Sequence, residues 1–149
     1  MDEPLHQIER AMVAIRRRAT RRTLAGAHAA GRPNDPIYDV LDVVEAEADA
    51  ATVTTVATAL QVDQPRASRL VAAAVEAGLI RRVADQSDGR RARLERTDQG
   101  RAAAEHIHAY RRDVFDGAMS GWSDDDRATF ARLLTSFVAQ LPGTTRPLS

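Results

Sequence analysis

The chain has 149 residues, 44% of them apolar, with 21 basic and 21 acidic side chains, four histidines and no cysteine. That length suits one domain with a modest core. The absence of cysteine excludes disulfides, thiolate metal clusters, cysteine nucleophiles and thiol redox sensors. No run of about 18 apolar residues occurs, and Met1-Asp2-Glu3-Pro4 has neither the basic nor the apolar part of a signal peptide, so a soluble cytoplasmic protein with no membrane partner is expected.

A net charge of zero conceals an uneven distribution. Every basic residue is arginine. From Asp35 to Ala51 only acids occur (Asp35, Asp39, Asp42, Glu45, Glu47, Asp49), whereas from Gln64 to Arg93 seven arginines face Glu76, Asp85 and Asp88. A basic patch on a balanced protein is the electrostatic footprint of a modest nucleic-acid module, and guanidinium suits forked contacts to phosphate and guanine.

Taken in order, residues 3–29 read as a first helix, in which Leu5, Ile8, Met12, Ile15 and Ala19 step by three and four. Such a narrow seam wants a partner helix. Its opposite face carries Arg10, Arg16, Arg17, Arg18, Arg21 and Arg22, a solvated face on the simplest reading and a second phosphate contact on the functional one. Gly31 to Pro36 form a loop, and Asp35-Pro36 starts a short helix with Ile37, Val40, Leu41 and Val44 inward and an acidic outer face. Thr52 or Val53 opens the next helix, which buries Val53, Val56, Ala57 and Leu60 and ends in the turn Gln61-Val62.

Asp63 is a good N-cap, and Pro65 falls in the first turn, where a missing N–H costs little. The helix that follows buries Ala67, Leu70, Val71, Ala74 and Val75 and turns Gln64, Arg66, Ser68, Arg69 and Ala73 elsewhere. That second face is slim, polar and basic, which is what a helix needs to enter the major groove of DNA. Helix, tight turn and helix make a helix-turn-helix, with Val62 filling the corner. Gly78 is the expected C′ glycine. The runs 79–83 and 90–96, joined by a polar turn ending in Asp88-Gly89, then make a β-hairpin, and so a wing.

From Thr97, a helix N-cap, a helix runs to about Ser120 with Ala103, Ile107, Tyr110, Val114 and Ala118 in near-heptad order. Gly121-Trp122 breaks it. Ser123 caps a last helix in which Phe130, Leu133, Leu134, Phe137, Val138 and Leu141 form the strongest apolar stripe of the chain, ended by Pro142-Gly143. Of the aromatics Tyr38, Tyr110, Phe115, Trp122, Phe130 and Phe137, most are assigned to the core by default, the alternative for a few being the lining of a crevice between the dimer helices and the winged domain.

The order of elements, the run Val53 to Arg82 ending in Ala77-Gly78-Leu79-Ile80-Arg81-Arg82, the wing Asp88-Gly89-Arg90-Arg91 and the following Thr97-Asp98-Gln99-Gly100 resemble the MarR family of winged helix-turn-helix regulators over nearly the whole chain. The resemblance implies that Arg90 enters the minor groove with Asp88 orienting it, as a narrow groove of concentrated negative potential would favour. It also implies a homodimer, and a small aromatic or lipophilic effector. Two positions depart from the family pattern: Gln61 stands where a turn glycine is usual, and Arg96 where a leucine is usual. The first weakens a helix end; the second alters packing or adds a phosphate contact.

The fold expected is therefore mainly α (α+β), a single domain over 1–149. Residues 35–97 form its winged helix-turn-helix lobe with a two-stranded β-wing, and residues 1–30 and 98–142 its dimerisation helices. The expected function is that of a homodimeric, sequence-specific transcriptional regulator, a repressor by preference, binding an inverted-repeat operator in double-stranded DNA. DNA contacts are assigned to Gln64, Arg66, Ser68, Arg69, Asp88, Arg90 and Arg91. Dimer contacts are assigned to Leu5, Ile8, Met12, Ile15, Ile107, Val114, Phe130, Leu134, Phe137 and Leu141. A winged-helix module that docks an acidic protein partner, or a DNA-binding protein without effector, are the alternatives. No Ser/His/Asp set, phosphate loop or zinc-protease motif is present, so neither enzyme activity nor a cofactor is expected. His106 and His108 lie roughly 200° apart around a helix and cannot share an ion without distant ligands, so no metal is expected either.

Overall fold

In the computed structural model of the chain the described residues are 2–26, 35–84 and 91–143, with residues 20–26 described as backbone only. The elements are α1 (Glu3–Gly26), α2 (Ile37–Ala46), α3 (Val53–Leu60), α4 (Gln64–Glu76), β1 (Ile80–Ala84), β2 (Ala92–Arg96), α5 (Asp98–Ala118) and α6 (Asp124–Gln140). This is the expected mainly-α fold with a two-stranded antiparallel wing. The chain divides into two compact units, Met1–Tyr110 and Arg111–Ser149, so the boundary falls inside α5. No helix among the described residues is long and apolar enough to cross a membrane.

In the first unit α2, α3 and α4 pack on one another, and β1 and β2 close the open side of that bundle. The core is small and aliphatic. Val40 and Val44 of α2, Val56 of α3, Val71 of α4 and Leu94 of β2 are completely buried, as are Ala67 and Ala74 of α4. The two alanines matter because a methyl group on the inner face lets α4 lie close to its neighbours. The helix-turn-helix periodicity is met residue by residue: Leu70 and Val75 are half-buried on the same face, while Gln64, Arg66, Ser68, Arg69 and Ala73 are exposed.

Three helices in this unit end in the same way. At the end of α4, Leu79 N donates to Ala74 O (3.1 Å) and Gly78 N to Val75 O (3.0 Å), with Gly78 at φ +78°. This pair of bonds satisfies carbonyls that the helix end would leave orphaned. At the end of α2 the same bonds run from Asp49 N to Val44 O and from Ala48 N to Glu45 O, both 3.0 Å. At the end of α3 they run from Val62 N to Ala57 O (3.1 Å) and from Gln61 N to Thr58 O (3.3 Å). Only α4 has glycine at the left-handed position. Ala48 (φ +51°) and Gln61 (φ +55°) adopt it with a Cβ, which costs on the order of 1 kcal/mol each. Helix starts are better supplied: Thr52 and Thr55 form a reciprocal capping box on α3, and the Asp63 carboxylate accepts from Arg66 N at 2.8 Å.

The hairpin pairs Ile80 with Arg96 and Ala84 with Ala92. Leu94 N also donates to Ala51 O at 2.7 Å, so the segment before α3 clips onto the edge of β2. Beyond β2 the chain turns sharply into α5. Thr97 Oγ1 donates to Gly78 O (2.5 Å) while accepting from Gly100 N (3.0 Å), and Thr97 N donates to Leu79 O (3.1 Å). Gly100 sits so close to this junction that an added Cβ would lie 1.9 Å from Leu79 O.

In the second unit Gly121, at φ +82°, turns the chain between α5 and α6. Arg127 reaches back to pair with Asp116 and to donate to Met119 O at 3.0 Å, and Trp122 packs edge-on against Phe130 with ring centroids 5.4 Å apart. Ser123 Oγ accepts from Asp126 N (3.1 Å), and Asp124, Asp125 and Asp126 place negative charge at the positive end of the α6 dipole.

Gly100→Ala is expected to destabilise the protein by about 2–3 kcal/mol, because a backbone carbonyl cannot rotate aside as a side chain would. Urea unfolding of the two proteins measures this, and equal midpoints would contradict the close approach.

Candidate nucleic-acid interface

The outer face of α4 is built by default, since burying Ala67, Val71 and Ala74 leaves Gln64, Arg66, Ser68 and Arg69 in solvent. Arg66 and Arg69 are one helical turn apart and make no ion pair among the described residues. Gln64 Nε2 lies 3.4 Å from Thr54 Oγ1 at the start of α3, which ties the first turn of α4 to its neighbour. Two guanidinium groups, an amide and a hydroxyl on one exposed helical face form a donor-rich surface able to meet phosphates and base edges.

The strands behave differently from α4. Glu95 accepts from Arg81 Nε (2.5 Å) and from an Arg93 terminal nitrogen (3.2 Å), so two wing arginines are anchored to one carboxylate. Arg91 is exposed and lines an open cleft of about 620 Å³ with Glu47, Thr52, Thr55 and Thr58. Asp88 and Arg90 lie outside the described residues.

Arg96 resolves the choice left open by the sequence. Its guanidinium turns inward and grips Asp49 with Nε on Oδ1 (3.0 Å) and a terminal nitrogen on Oδ2 (3.2 Å), while its backbone N–H donates to the same Oδ1. A terminal nitrogen also stands 3.7 Å from Glu45 Oε1, and Arg101 stands 3.7 Å from Asp49 Oδ2. Hydrogen bonding from Arg96 holds the Asp49 carboxyl below the usual carboxylate range, more than offsetting the opposing effect of burial. Arg96 is thus a packing element and not a phosphate contact. The acidic face of α2 is also less solvated than its sequence suggests, because Glu45 Oε2 accepts a hydrogen bond from His108 Nε2 at 2.7 Å.

The residues assigned to a dimer seam separate into two groups. Leu5, Ile8 and Ile15 of α1, Val114 of α5, Phe130 and Leu134 of α6, and Leu141 at its C-cap are exposed; Met12 and Phe137 are half-buried. Ile107 departs from the expectation: it is 3% exposed within its own chain and has no surface left for a partner. The default placing of most aromatics in the core fails for four of the six, while Tyr38 and Phe137 are half-buried. Tyr110, Phe115, Trp122 and Phe130 are all exposed among the described residues, on apolar faces of α5, α6 and the turn between them.

Residues 34–91 match the model of the MarR family. No curated protein matches the chain. Among solved structures it is similar to a MarR family protein from Bacillus stearothermophilus, with 18% identity over 94% of this chain and 96% of that one and a TM-score of 0.76. It is similar also to a MarR transcriptional regulator from Methanosarcina mazei Go1 (17% identity, 90% and 95% covered, TM-score 0.71). A third is a MarR family transcriptional regulator from Silicibacter pomeroyi (23%, 91% and 90%, TM-score 0.65).

Asp49→Asn keeps the shape and the tolerance for positive φ while removing the charge that Arg96 holds. Since the folded carboxyl is depressed, the pair stabilises the protein above the unfolded value of about 3.9 and ceases to do so as pH falls through the folded value. The variant is expected to lose about 1–2 kcal/mol at pH 7, with the gap to the parent closing toward pH 3. Denaturant curves at the two pH values check this, and an equal gap at both would contradict it.

Proposed function

We propose that this protein is a homodimeric, sequence-specific DNA-binding transcriptional regulator acting as a repressor, a reading supported by the match of residues 34–91 to the MarR family model and by the likeness of the fold to solved MarR proteins. The observation that carries the reading is the face of α4: Arg66 and Arg69 stand exposed and unpaired among the described residues on a helix whose other face is sealed in the core. In this reading α4 enters the major groove. Arg66, Arg69 and Gln64 reach base edges or the nearest phosphates, and Ser68 reaches phosphate. Asp88, Arg90 and Arg91 of the wing extend the contact along the groove, with Arg90 in the minor groove.

A single α4 reads only half a site. Two copies related by a two-fold axis would present their helices about one helical turn of DNA, roughly 34–36 Å, apart, which matches an inverted repeat. The exposed stripes of α1 (Leu5, Ile8, Ile15) and α6 (Phe130, Leu133, Leu134 and Val138, with Leu141 at its C-cap) support that arrangement, since apolar helix faces of this length are rarely left in water. A small aromatic or lipophilic effector that prefers a dimer with its α4 helices misplaced would release DNA by as much as its differential affinity allows.

Gel shift on the DNA flanking the protein's own gene tests the reading, and absence of any shift at low salt would sink it in favour of a protein-docking winged helix. Arg66→Ala and Arg69→Ala are each expected to weaken operator binding by about 1–3 kcal/mol, and Arg90→Ala to reduce the salt slope by about one. Sedimentation of the free protein at micromolar concentration is expected to give the mass of two chains, with Leu134→Asp shifting it toward one. A wild-type protein that sediments as a single chain would rule out the dimer.

A further inference from the structure

We propose that Asp42, Glu45 and His108 form a binding site for a divalent cation of the zinc, cobalt or nickel type, held by α2 and the first half of α5. Asp42 and Glu45 are three apart on α2 and so share a face. His108 comes from 63 residues further along the chain, and its Nε2 lies 2.7 Å from Glu45 Oε2. One potential ligand atom from each of the three side chains lies within 4.8 Å of the others. Around a tetrahedral ion with bonds of about 2.0–2.2 Å the ligand atoms stand roughly 3.4 Å apart, so side-chain rotations of about 1 Å close the set.

The chemistry of the donors selects the ion. Two carboxylates balance a double positive charge, and an imidazole nitrogen favours borderline metals over calcium or magnesium, which take oxygen ligands. All three residues are of intermediate burial, which shields the ion while leaving a coordination position open to water. Arg96 does not occupy the site: it approaches Glu45 Oε1, whereas His108 holds Oε2, and its main grip is on Asp49. A cation can therefore replace the Glu45–His108 hydrogen bond without breaking the Arg96 clamp. The sequence conceals this set because it directs attention to His106 and His108 together. His106 points away around the helix, and the distant ligands that His108 needs are on α2.

Calorimetric titration of the metal-stripped full chain with zinc chloride is the test, with cobalt chloride added in parallel to read visible d–d bands. The expected result is one zinc per chain, a rise in unfolding midpoint with zinc, and no response to magnesium chloride at the same concentration. His108→Ala, Glu45→Gln and Asp42→Asn are each expected to weaken zinc binding at least about tenfold, the scale already typical of residues one shell further out. His106→Ala is expected to bind as the parent does. The proposal is overturned if the parent binds no zinc, or if His108→Ala and Glu45→Gln, shown to be folded by circular dichroism, bind it undiminished. Zinc binding is read here by itself, so the result is independent of whether the winged helix proves to bind DNA.

Discussion

Four elements converge where Gly78, Leu79, Thr97 and Gly100 meet, and the placement of the wing depends on that junction. The end of α4, the start of β1, the end of β2 and the start of α5 are fixed there by three hydrogen bonds centred on Thr97. Gly78 supplies the left-handed turn out of α4, and Gly100 supplies the missing Cβ that lets α5 pass beside the Leu79 carbonyl. Because the strands grow directly from this point, with Ile80 opposite Arg96, the direction in which they leave α4 is set by the hydrogen bonds of Thr97 and by the strand pairing. The proposed reading of DNA by two separate elements needs that rigidity, since contacts misplaced by an ångström lose their hydrogen bonds.

The Asp49–Arg96 clamp solves a second problem in the same region. The turn after α2 places both Ala48 and Asp49 at positive φ, a conformation that two consecutive non-glycine residues do not keep unaided. Arg96 holds Asp49 through three hydrogen bonds, one from its backbone, so strain at the end of α2 is offset by a contact that also ties that end to β2. Arg101 adds a weaker attachment from α5. The departure from the family pattern at position 96 is therefore matched by a partner, and the two are best regarded as one feature.

What could be read from the sequence was what local chemistry determines. Caps at Thr52, Asp63, Thr97 and Ser123, the glycine after α4, the helix-turn-helix and the hairpin all follow from residue types at fixed short spacing, and each appears in the structure. Contacts between residues far apart in sequence were not legible. Nothing near Arg96 points to Asp49, and nothing near His108 points to Glu45. Gly100 looks like a poor helix former until the Leu79 carbonyl beside it is seen. The heptad pattern of α5 misled in a more instructive way. One period serves two purposes, facing its own core at Ala104 and Ile107 and solvent at Tyr110, Val114 and Phe115, and periodicity alone does not reveal where one use gives way to the other.

The same distinction explains how a chain of zero net charge can carry a basic, exposed helix face. Acids that look like a solvated surface in sequence are drawn into specific pairs: Glu95 with Arg81 and Arg93, Asp49 with Arg96 and Arg101, Glu45 with His108. Each pair lies on the strands or along the side where α2 meets β2 and α5, and none reaches the outer face of α4. The arginines that remain available to an anion are thus selected by where the carboxylates are: among the described residues the guanidinium groups of Arg66 and Arg69 make no ion pair, and the neighbouring Asp63 carboxylate is taken up by the Arg66 backbone N–H. Long-range attraction of such a protein to a polyanion would be weak at physiological ionic strength, where screening acts over about 8 Å. The proposed affinity for DNA would then rest on close contacts made by α4 and the wing, and sequence preference would account for a larger share of binding than in a strongly basic protein.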